Sequence, residues 1–443
     1  HIINKDISNE NVWFKGNAYY LINGETLQIP YVDYYKSKRY LELDIDIGEK
    51  VDLDDSIINE ELFLNVNETY LQKLIYEAEE YIKKIVAVYS ENSLPIVSFS
   101  GGKDSTVVSR LVMEALQRKD IIHFFGDTTL EFPTTYEYCN NVFKKNNTHT
   151  PILDTKPEKD FFKLCDYLGP PSRFERWCCT IFKTSNISKL MQTLPPDTKS
   201  ISFMGIRRHE SNKRKDYERT REDSKISNQI VAMPIIEWTD FDVWLYIRYK
   251  KLIFNDAYKM GYRRVGCWCC PNNSHWSELL TAIYYPDLSQ KWRQKLLDFA
   301  EITEKFDVDD YIYNDRWKMR KGASGLKSKN IDIKDTDCFE GTNIRNYILD
   351  KNLNERFIEF LKPFGKLTIF FSNEKYVIST KGHNKKLSFE FRKDSKILKV
   401  KNHEGYDNNL LNTRIKCQIR KYQFCINCTA CDAVCPEGAI TTL

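Results

Sequence analysis

The chain has 443 residues, a length that fits about three folding units rather than one, and its 66 Lys+Arg against 62 Asp+Glu leave a formal net charge of +4. A balance this close excludes overall electrostatic attraction to nucleic acid, so any such affinity has to come from local clustering. The thirteen cysteines fall in clusters, which suits metal ligation better than disulfide stapling. With neither a leader pattern nor a run of about 18 apolar residues, a reducing, cytoplasmic setting without membrane contact is expected.

Residues 1–65 read as a small β-rich module, because apolar segments at 18–22 and 26–29 flank Asn23-Gly24, a hairpin-turn signal. Residues 66–250 read as one α/β domain. Leu71, Leu74, Ile75, Ala78, Ile82, Ile85 and Val86 recur at helical spacing and lead into it. Strands are expected at 96–99, 121–125 and 201–205, with a helix over 105–117. This alternation predicts a doubly wound parallel sheet, whose ligands bind beyond the carboxyl ends of the strands. Residues 251–335 read as a mainly helical insert with Trp276, Leu279, Leu280 and Ile283 on one face. Residues 336–416 read as an α+β module with strands at 367–371, 375–379, 387–391 and 397–400. Residues 417–443 form a cysteine-rich tail.

Ser100-Gly101-Gly102-Lys103-Asp104-Ser105 lies between an expected strand and an expected helix, where exposed N–H groups and the helix dipole favour an anion. The spacing is not that of the Walker loop. Downstream stand Asp127-Thr128-Thr129-Leu130-Glu131-Phe132-Pro133, then Gly205-Ile206-Arg207-Arg208-His209-Glu210-Ser211 with Arg214, then Pro234 to Trp238. Together they resemble the PP-loop ATP pyrophosphatase superfamily and, within it, the phosphoadenosine phosphosulfate (PAPS) reductase family, over roughly residues 91–275. Thr129 stands where the family segment has Gly. The resemblance implies ATP or an adenylyl nucleotide, with Mg²⁺, on Ser100 to Ser105. Lys103 and the loop amides would hold phosphates, and Asp127 would lie near the ribose or the Mg²⁺ ion, unless it is only a helix cap. Lys103, Asp104 and Asp127 are the catalytic candidates, and Arg207, Glu210 and Arg214 would engage a second anionic group.

Cys178-Cys179 and Cys267-x-x-Cys270 match the spacing by which family members bind a [4Fe–4S] cluster; a Cys₄ zinc site is the competing reading. Cys269 is left without a role. The tail Cys425-x-x-Cys428-x-x-Cys431-x-x-x-Cys435-Pro436 is ferredoxin-like and implies a second cluster. Its fourth ligand stays open between Cys435, Cys417, Cys338, a second chain and residues beyond Leu443.

Family members that make sulfite use a cysteine in a C-terminal Glu-Cys-Gly-x-His segment, which this sequence lacks. The expected reaction is therefore adenylation of an acceptor followed by sulfur insertion, with tRNA or DNA as acceptor and a sulfur donor such as a cysteine desulfurase. Arg316, Lys318, Arg320, Lys321, Lys327 and Lys329, with Trp317 among them and no acid between, form a candidate nucleic-acid surface. An adenylyl-sulfate reductase using Cys338 or Cys417 and a non-catalytic, defence-type nucleotide sensor are the alternatives.

Overall fold

Hydrophobic periodicity sets the first long element. In a computed structural model of the protein, the described residues are the backbone of 12–16, 19–22 and 25–28, and residues 60–191, 193–195, 198–222, 226, 228–321, 333–337, 343–382, 385–403, 409–428 and 430–431. Helix α1 (Glu60–Val88) buries Leu71, Ile75, Ala78, Ile82 and Ile85 along one stripe, as a 3.6-residue repeat requires. Ahead of it, β1 (Val12–Gly16), β2 (Tyr19–Ile22) and β3 (Glu25–Gln28) form an antiparallel sheet, with Ile22 opposite Glu25 across the expected turn.

Six strands then build the central sheet: β4 (Ser93–Phe99), β5 (Ile122–Gly126), β6 (Ile152–Thr155), β7 (Lys199–Met204), β8 (Thr220–Arg221) and β9 (Gln229–Ala232). Their order is β6-β5-β4-β7-β9-β8, parallel except for the β8 edge. Ile96, Val97, Ile201 and Phe203 are fully buried, the near-continuous apolar reading expected of strands covered on both faces. Helix α2 (Lys103–Ala115) packs Val107, Val108, Leu111 and Val112 with α1 into one core. The chain runs outward from β4 to β6 and returns at β7, so β4 and β7 meet at a topological switch point. A ligand crevice opens there, beyond the carboxyl ends.

Further along lie α3 (Phe161–Leu168), α4 (Ser185–Met191), α5 (Asp240–Tyr249), α6 (His275–Tyr284), α7 (Pro286–Ile302) and α8 (Val308–Tyr313). The helical stretch expected over 251–335 is not a separate body, because residues 1–326 and 429–443 cluster as one unit and 327–428 as another. The expected boundaries at 65/66 and 416/417 fall inside helices. Helical periodicity carries straight across both positions, so the composition shifts used to place them mark no break in the backbone.

The second unit is an antiparallel sheet of β10 (Lys334–Asp337), β11 (Ile344–Ile348), β12 (Lys366–Ser372), β13 (Lys375–Gly382), β14 (Lys385–Arg392) and β15 (Ile397–Asn402), ordered β10-β11-β15-β14-β13-β12. Helix α9 (Asn409–Phe424) buries Leu411, Ile415, Ile419 and Tyr422 in its core.

Candidate functional site

The loop after β4 turns sharply at Gly101, whose φ of +70° and whose missing Cβ are both required: a Cβ there would sit 2.7 Å from Cys139 Sγ. Ser105 Oγ donates to Gly102 O at 2.9 Å, and Asn255 Nδ2 donates to Gly101 O at 3.3 Å, fixing the loop from both sides. The amides of Gly101, Gly102 and Asp104 have no acceptor among the described residues, and they stand at the positive end of α2. The amide of Lys103 donates to Tyr258 Oη at 2.9 Å. Gly205, at the end of β7, lets that strand approach the loop, since a Cβ would lie 2.7 Å from the carbonyl carbon of Asp104.

Charge is arranged as an alternating chain. Lys103 Nζ, 3 % exposed, lies 3.2 Å from Asp104 Oδ2 and 3.0 Å from Asp240 Oδ1. Arg207 Nε donates to Asp104 Oδ1 at 2.6 Å, and its Nη2 reaches Asp240 Oδ1 at 3.1 Å and Glu210 Oε1 at 3.8 Å. Arg214 pairs with Glu210. Burial alone would raise Asp240, but Lys103 and Arg207 outweigh it and hold its carboxyl below the usual range. Arg207, expected to engage a second anion, has its contacts within the loop's charge cluster. It is buried against Asp104 and belongs to the loop's own cluster, because the short β4–β7 separation brings the two strand ends together.

A cavity of about 300 Å³ opens beside this chain, with Ser100, Gly102, Lys103, Glu210 and Arg214 on one side and Glu131, Lys183, Arg264 and Gly266 among its other walls. Asp127 is not among the residues lining it. Its Oδ1 accepts from Thr129 N at 2.7 Å and from Tyr136 Oη at 2.6 Å, and Lys156 Nζ lies 3.8 Å from Oδ2. Nor does it cap the helix at Pro133–Glu137, whose cap position is Phe132. The geometry gives Asp127 the work of closing the 127–136 turn, in which Thr129 is forced to a φ of +61°.

Cys178 and Cys179 open a widened, π-type helical turn, Cys179–Thr184, of the kind often found at functional sites. Trp177 fixes this turn by donating from Nε1 to Gly169 O at 3.0 Å and stacking on Phe161 at 5.5 Å. Opposite, Trp268 N donates to Leu130 O at 2.9 Å and Cys270 N to Cys267 O at 3.2 Å, which forms the Cys267–Cys270 turn. Burial, with Glu131 adding to it, pushes the Cys267 thiol up to about 12, and Lys183 opposes the rise. A hydrogen bond from Cys178 holds Cys179 well below the ordinary thiol range, and Arg176 Nη2, donating to Cys179 Sγ at 3.3 Å, adds to that. Cys178 lies in the field of Cys267, and Cys270 in that of Cys179. The fold therefore brings together two cysteine pairs that 87 intervening residues separate in sequence. Cys269 faces the opposite way, 4 % exposed, against a second cavity with Trp268 and Trp292.

The basic run at 316–329 is not the open surface its composition suggested. Lys318 is fully buried, with Nζ 2.6 Å from Glu278 Oε1 and 2.8 Å from Asp315 Oδ2. Arg320 is buried too, and its Nη2 donates to Pro170 O at 2.7 Å and Leu168 O at 3.0 Å. Arg316 pairs with Asp310, Lys321 lies over Phe174, and residues 327 and 329 lie outside the described residues. In the tail, Cys425, Cys428 and Cys431 are described, whereas Cys338 and Cys435 lie outside the described residues. Sequence reasoning gave no role to Tyr258, Asp240, Glu131, Arg176 or Arg264; only Glu131, inside the quoted 127–133 segment, and Arg264, three residues before Cys267, carried a signal that pointed to them.

The sequence profile of the phosphoadenosine phosphosulfate reductase domain matches residues 94–273. The adenosine 5'-phosphosulfate reductase of Anoxybacillus flavithermus is 31% identical over 187 residues, covering 41% of this chain and 74% of that protein. The protein of that name from Staphylococcus epidermidis is 30% identical over 207 residues, covering 46% and 81%. An uncharacterized protein of Methanocaldococcus jannaschii is 29% identical over a longer stretch, 297 residues, covering 65% and 69%. With the profile match spanning the loop, the Arg207 segment and both cysteine pairs, and with these reductases 30% and 31% identical over most of their own length, the chain belongs to the phosphoadenosine phosphosulfate reductase family.

Proposed function

We propose that the protein binds ATP on the Ser100–Ser105 loop, adenylates an oxygen of an acceptor and exchanges that oxygen for sulfur. The observation that carries this reading is the shared cavity: the loop, Lys183 from the turn that Cys179 opens, and Gly266, the residue before Cys267, are walls of one space. The free amides of Gly101, Gly102 and Asp104, with Lys103, suit a polyphosphate whose Mg²⁺ arrives with it. Attack of the acceptor oxygen on the α-phosphorus would release pyrophosphate, and a sulfide-level sulfur would then displace AMP. Asp104 and Asp240 hold the Lys103 and Arg207 side chains in place toward the developing negative charge.

Cys178, Cys179, Cys267 and Cys270 are suited to hold a [4Fe–4S] cluster, which would supply electrons or a bound sulfur. The donor set fits: four thiols with Arg176 and Lys183 beside them to balance thiolate charge. Among the described residues, the ligand-type groups whose donor atoms lie within 4.8 Å of one another are His275, Glu278 and Asp315. No three of the four thiols therefore lie within 4.8 Å of one another, whereas a tetrahedral site with a Zn–S distance of about 2.3 Å would bring all four to roughly 3.8 Å. Anaerobic purification with iron and sulfide analysis tests this. Brown protein that bleaches on reduction is expected, and colourless protein with stoichiometric zinc overturns it.

The acceptor class, tRNA or DNA, draws no support from the 316–329 run now that Lys318 and Arg320 are accounted for. A cysteine desulfurase remains the proposed donor. The names of the curated relatives favour one second reading, a sulfonucleotide reductase with Cys338 or Cys417 as nucleophile. Sulfite released from adenylyl sulfate and a reductant would establish that reading; pyrophosphate released from ATP in the presence of acceptor would establish the first.

A further inference from the structure

Behind the Cys267–Cys270 turn lies a cavity that the nucleotide reading does not use. Its volume is about 300 Å³, and Trp268, Trp292 and Trp317 form apolar walls. All three tryptophans are buried, yet their indole N–H groups have no acceptor among the described residues, where buried indoles ordinarily find one. Arg293, half-buried on α7, lines the same space and makes no ion pair among the described residues. Its guanidinium carbon lies 4.9 Å from the centre of the Tyr313 ring, and the Tyr313 hydroxyl is buried with no hydrogen-bond partner among those residues. An unpaired cation and orphaned donors on an apolar wall call for an anionic acceptor.

We infer that this cavity binds a small planar aromatic molecule carrying one carboxylate. The tryptophan walls take the ring, and the Arg293 fork, with Tyr313 beside it, takes the carboxylate. The volume lies at the small end of ligand pockets, which limits the occupant to one or two fused rings. The other polar residues of the wall limit its charge. Glu278 and Asp315 are held by Lys318 at 2.6 and 2.8 Å, with His275 beside Asp315, so that cluster reaches neutrality at best and attracts no second negative charge. A cationic occupant is disfavoured too: Arg293 repels it, and the Trp292 and Trp317 rings meet edge to face at 5.5 Å, so they do not enclose an ammonium between two faces. Trp268 and Cys269 line this cavity whereas Gly266 lines the one beside the loop. The occupant and the nucleotide therefore sit on different sides of one turn.

Calorimetric titration of the full chain with naphthoate, the uncharged naphthamide and the cationic naphthylmethylamine tests the site. Naphthoate should bind at one site, about tenfold or more tighter than the amide, as one charge-assisted contact implies. Arg293→Gln should erase that advantage while changing the amide by less than about twofold, and Arg293→Lys should recover part of it. Ala282→Phe, which fills the space from the α6 wall, should abolish binding of naphthoate and amide alike. Saturating ATP should leave the naphthoate affinity unchanged. Equal affinity for naphthoate and amide, tightest binding of the amine, displacement of naphthoate by ATP, or no binding of any of the three overturns the inference. A fall in the Tm of Arg293→Gln with naphthoate and amide affinities lost together would make the arginine structural and overturn it as well.

Discussion

At the residue scale, backbone conformation separates what this chain shares with its family from what it does differently. Thr129 stands where the family segment has Gly, and it is held at a φ of +61° by the bond from its amide to Asp127. A β-branched residue there carries about 1–2 kcal/mol of strain, whereas Gly costs about 0.5–1 kcal/mol in unfolded-state entropy. Thr129→Gly should therefore raise stability by up to about 1 kcal/mol in urea unfolding; a clear destabilisation would mean that the Thr side chain contributes packing of its own. Gly205→Ala should do the reverse, because its Cβ would press on the Asp104 backbone at 2.7 Å. A loss of about 1–3 kcal/mol, accompanied by lost nucleotide binding in titration, is expected. Such glycines were legible in the sequence because backbone geometry restricts the choice of residue. Tyr258 and Asp240 were not, since a tyrosine 155 residues from Lys103 and an aspartate in a first helical turn have ordinary local explanations.

At the element scale, the turn Arg316–Met319 shows why a charge run misleads. It is a 3₁₀ turn with three residues per turn, so Arg316 and Met319 stay exposed while Trp317 and Lys318 turn inward, and Lys318 enters the space between Glu278 and Asp315 while sequence reports only a row of cations. Its ammonium contacts two members of the one set of metal-type donors found among the described residues, Glu278 and Asp315 beside His275. Lys318→Met should leave two half-buried carboxylates, Asp315 with only His275 beside it, and cost about 1–3 kcal/mol. Zn²⁺ should then raise the Tm of the variant and leave that of the wild type unchanged; an equal response from both proteins would show that the lysine does not close the site. The same cluster sets a pH dependence. The Asp315 hydrogen bond raises His275 above its ordinary value. The stability it contributes is therefore complete below the unfolded value, near 6.5, and is lost as pH rises through the higher folded value. His275→Gln should flatten the Tm of the protein between about pH 6 and 8, and an unchanged slope would contradict the pairing.

At the scale of the whole molecule, the question is what the tail cysteines do for a domain that already holds four clustered thiols. The parallel sheet was legible because apolar runs alternate with helical stretches, and the second unit's strands because turn residues separate them, both local signals. The division into units was not, since α1 and α9 run through the composition shifts that suggested boundaries. This matters for the experiment. Removing residues from Cys417 onward would strip Ile419 and Tyr422, both buried, from the core of the second unit, and lost activity would then report unfolding rather than chemistry. Serine replacement avoids that, because Cys425 is exposed and follows the last turn of α9. If the tail ligates a second cluster that feeds the first, Cys425→Ser with Cys428→Ser should lower the iron content and leave the Tm of the protein and pyrophosphate release intact. Sulfur transfer with a physiological reductant should then fall by orders of magnitude. Undiminished transfer would reduce the tail to an ordering clip, since metal binding can fold a short segment by itself, and a drop in Tm with proportionate loss of every activity would say the same. Iron unchanged by the double substitution would remove the second cluster altogether. The relay therefore stands only on the combination of lost transfer, retained pyrophosphate release and retained fold.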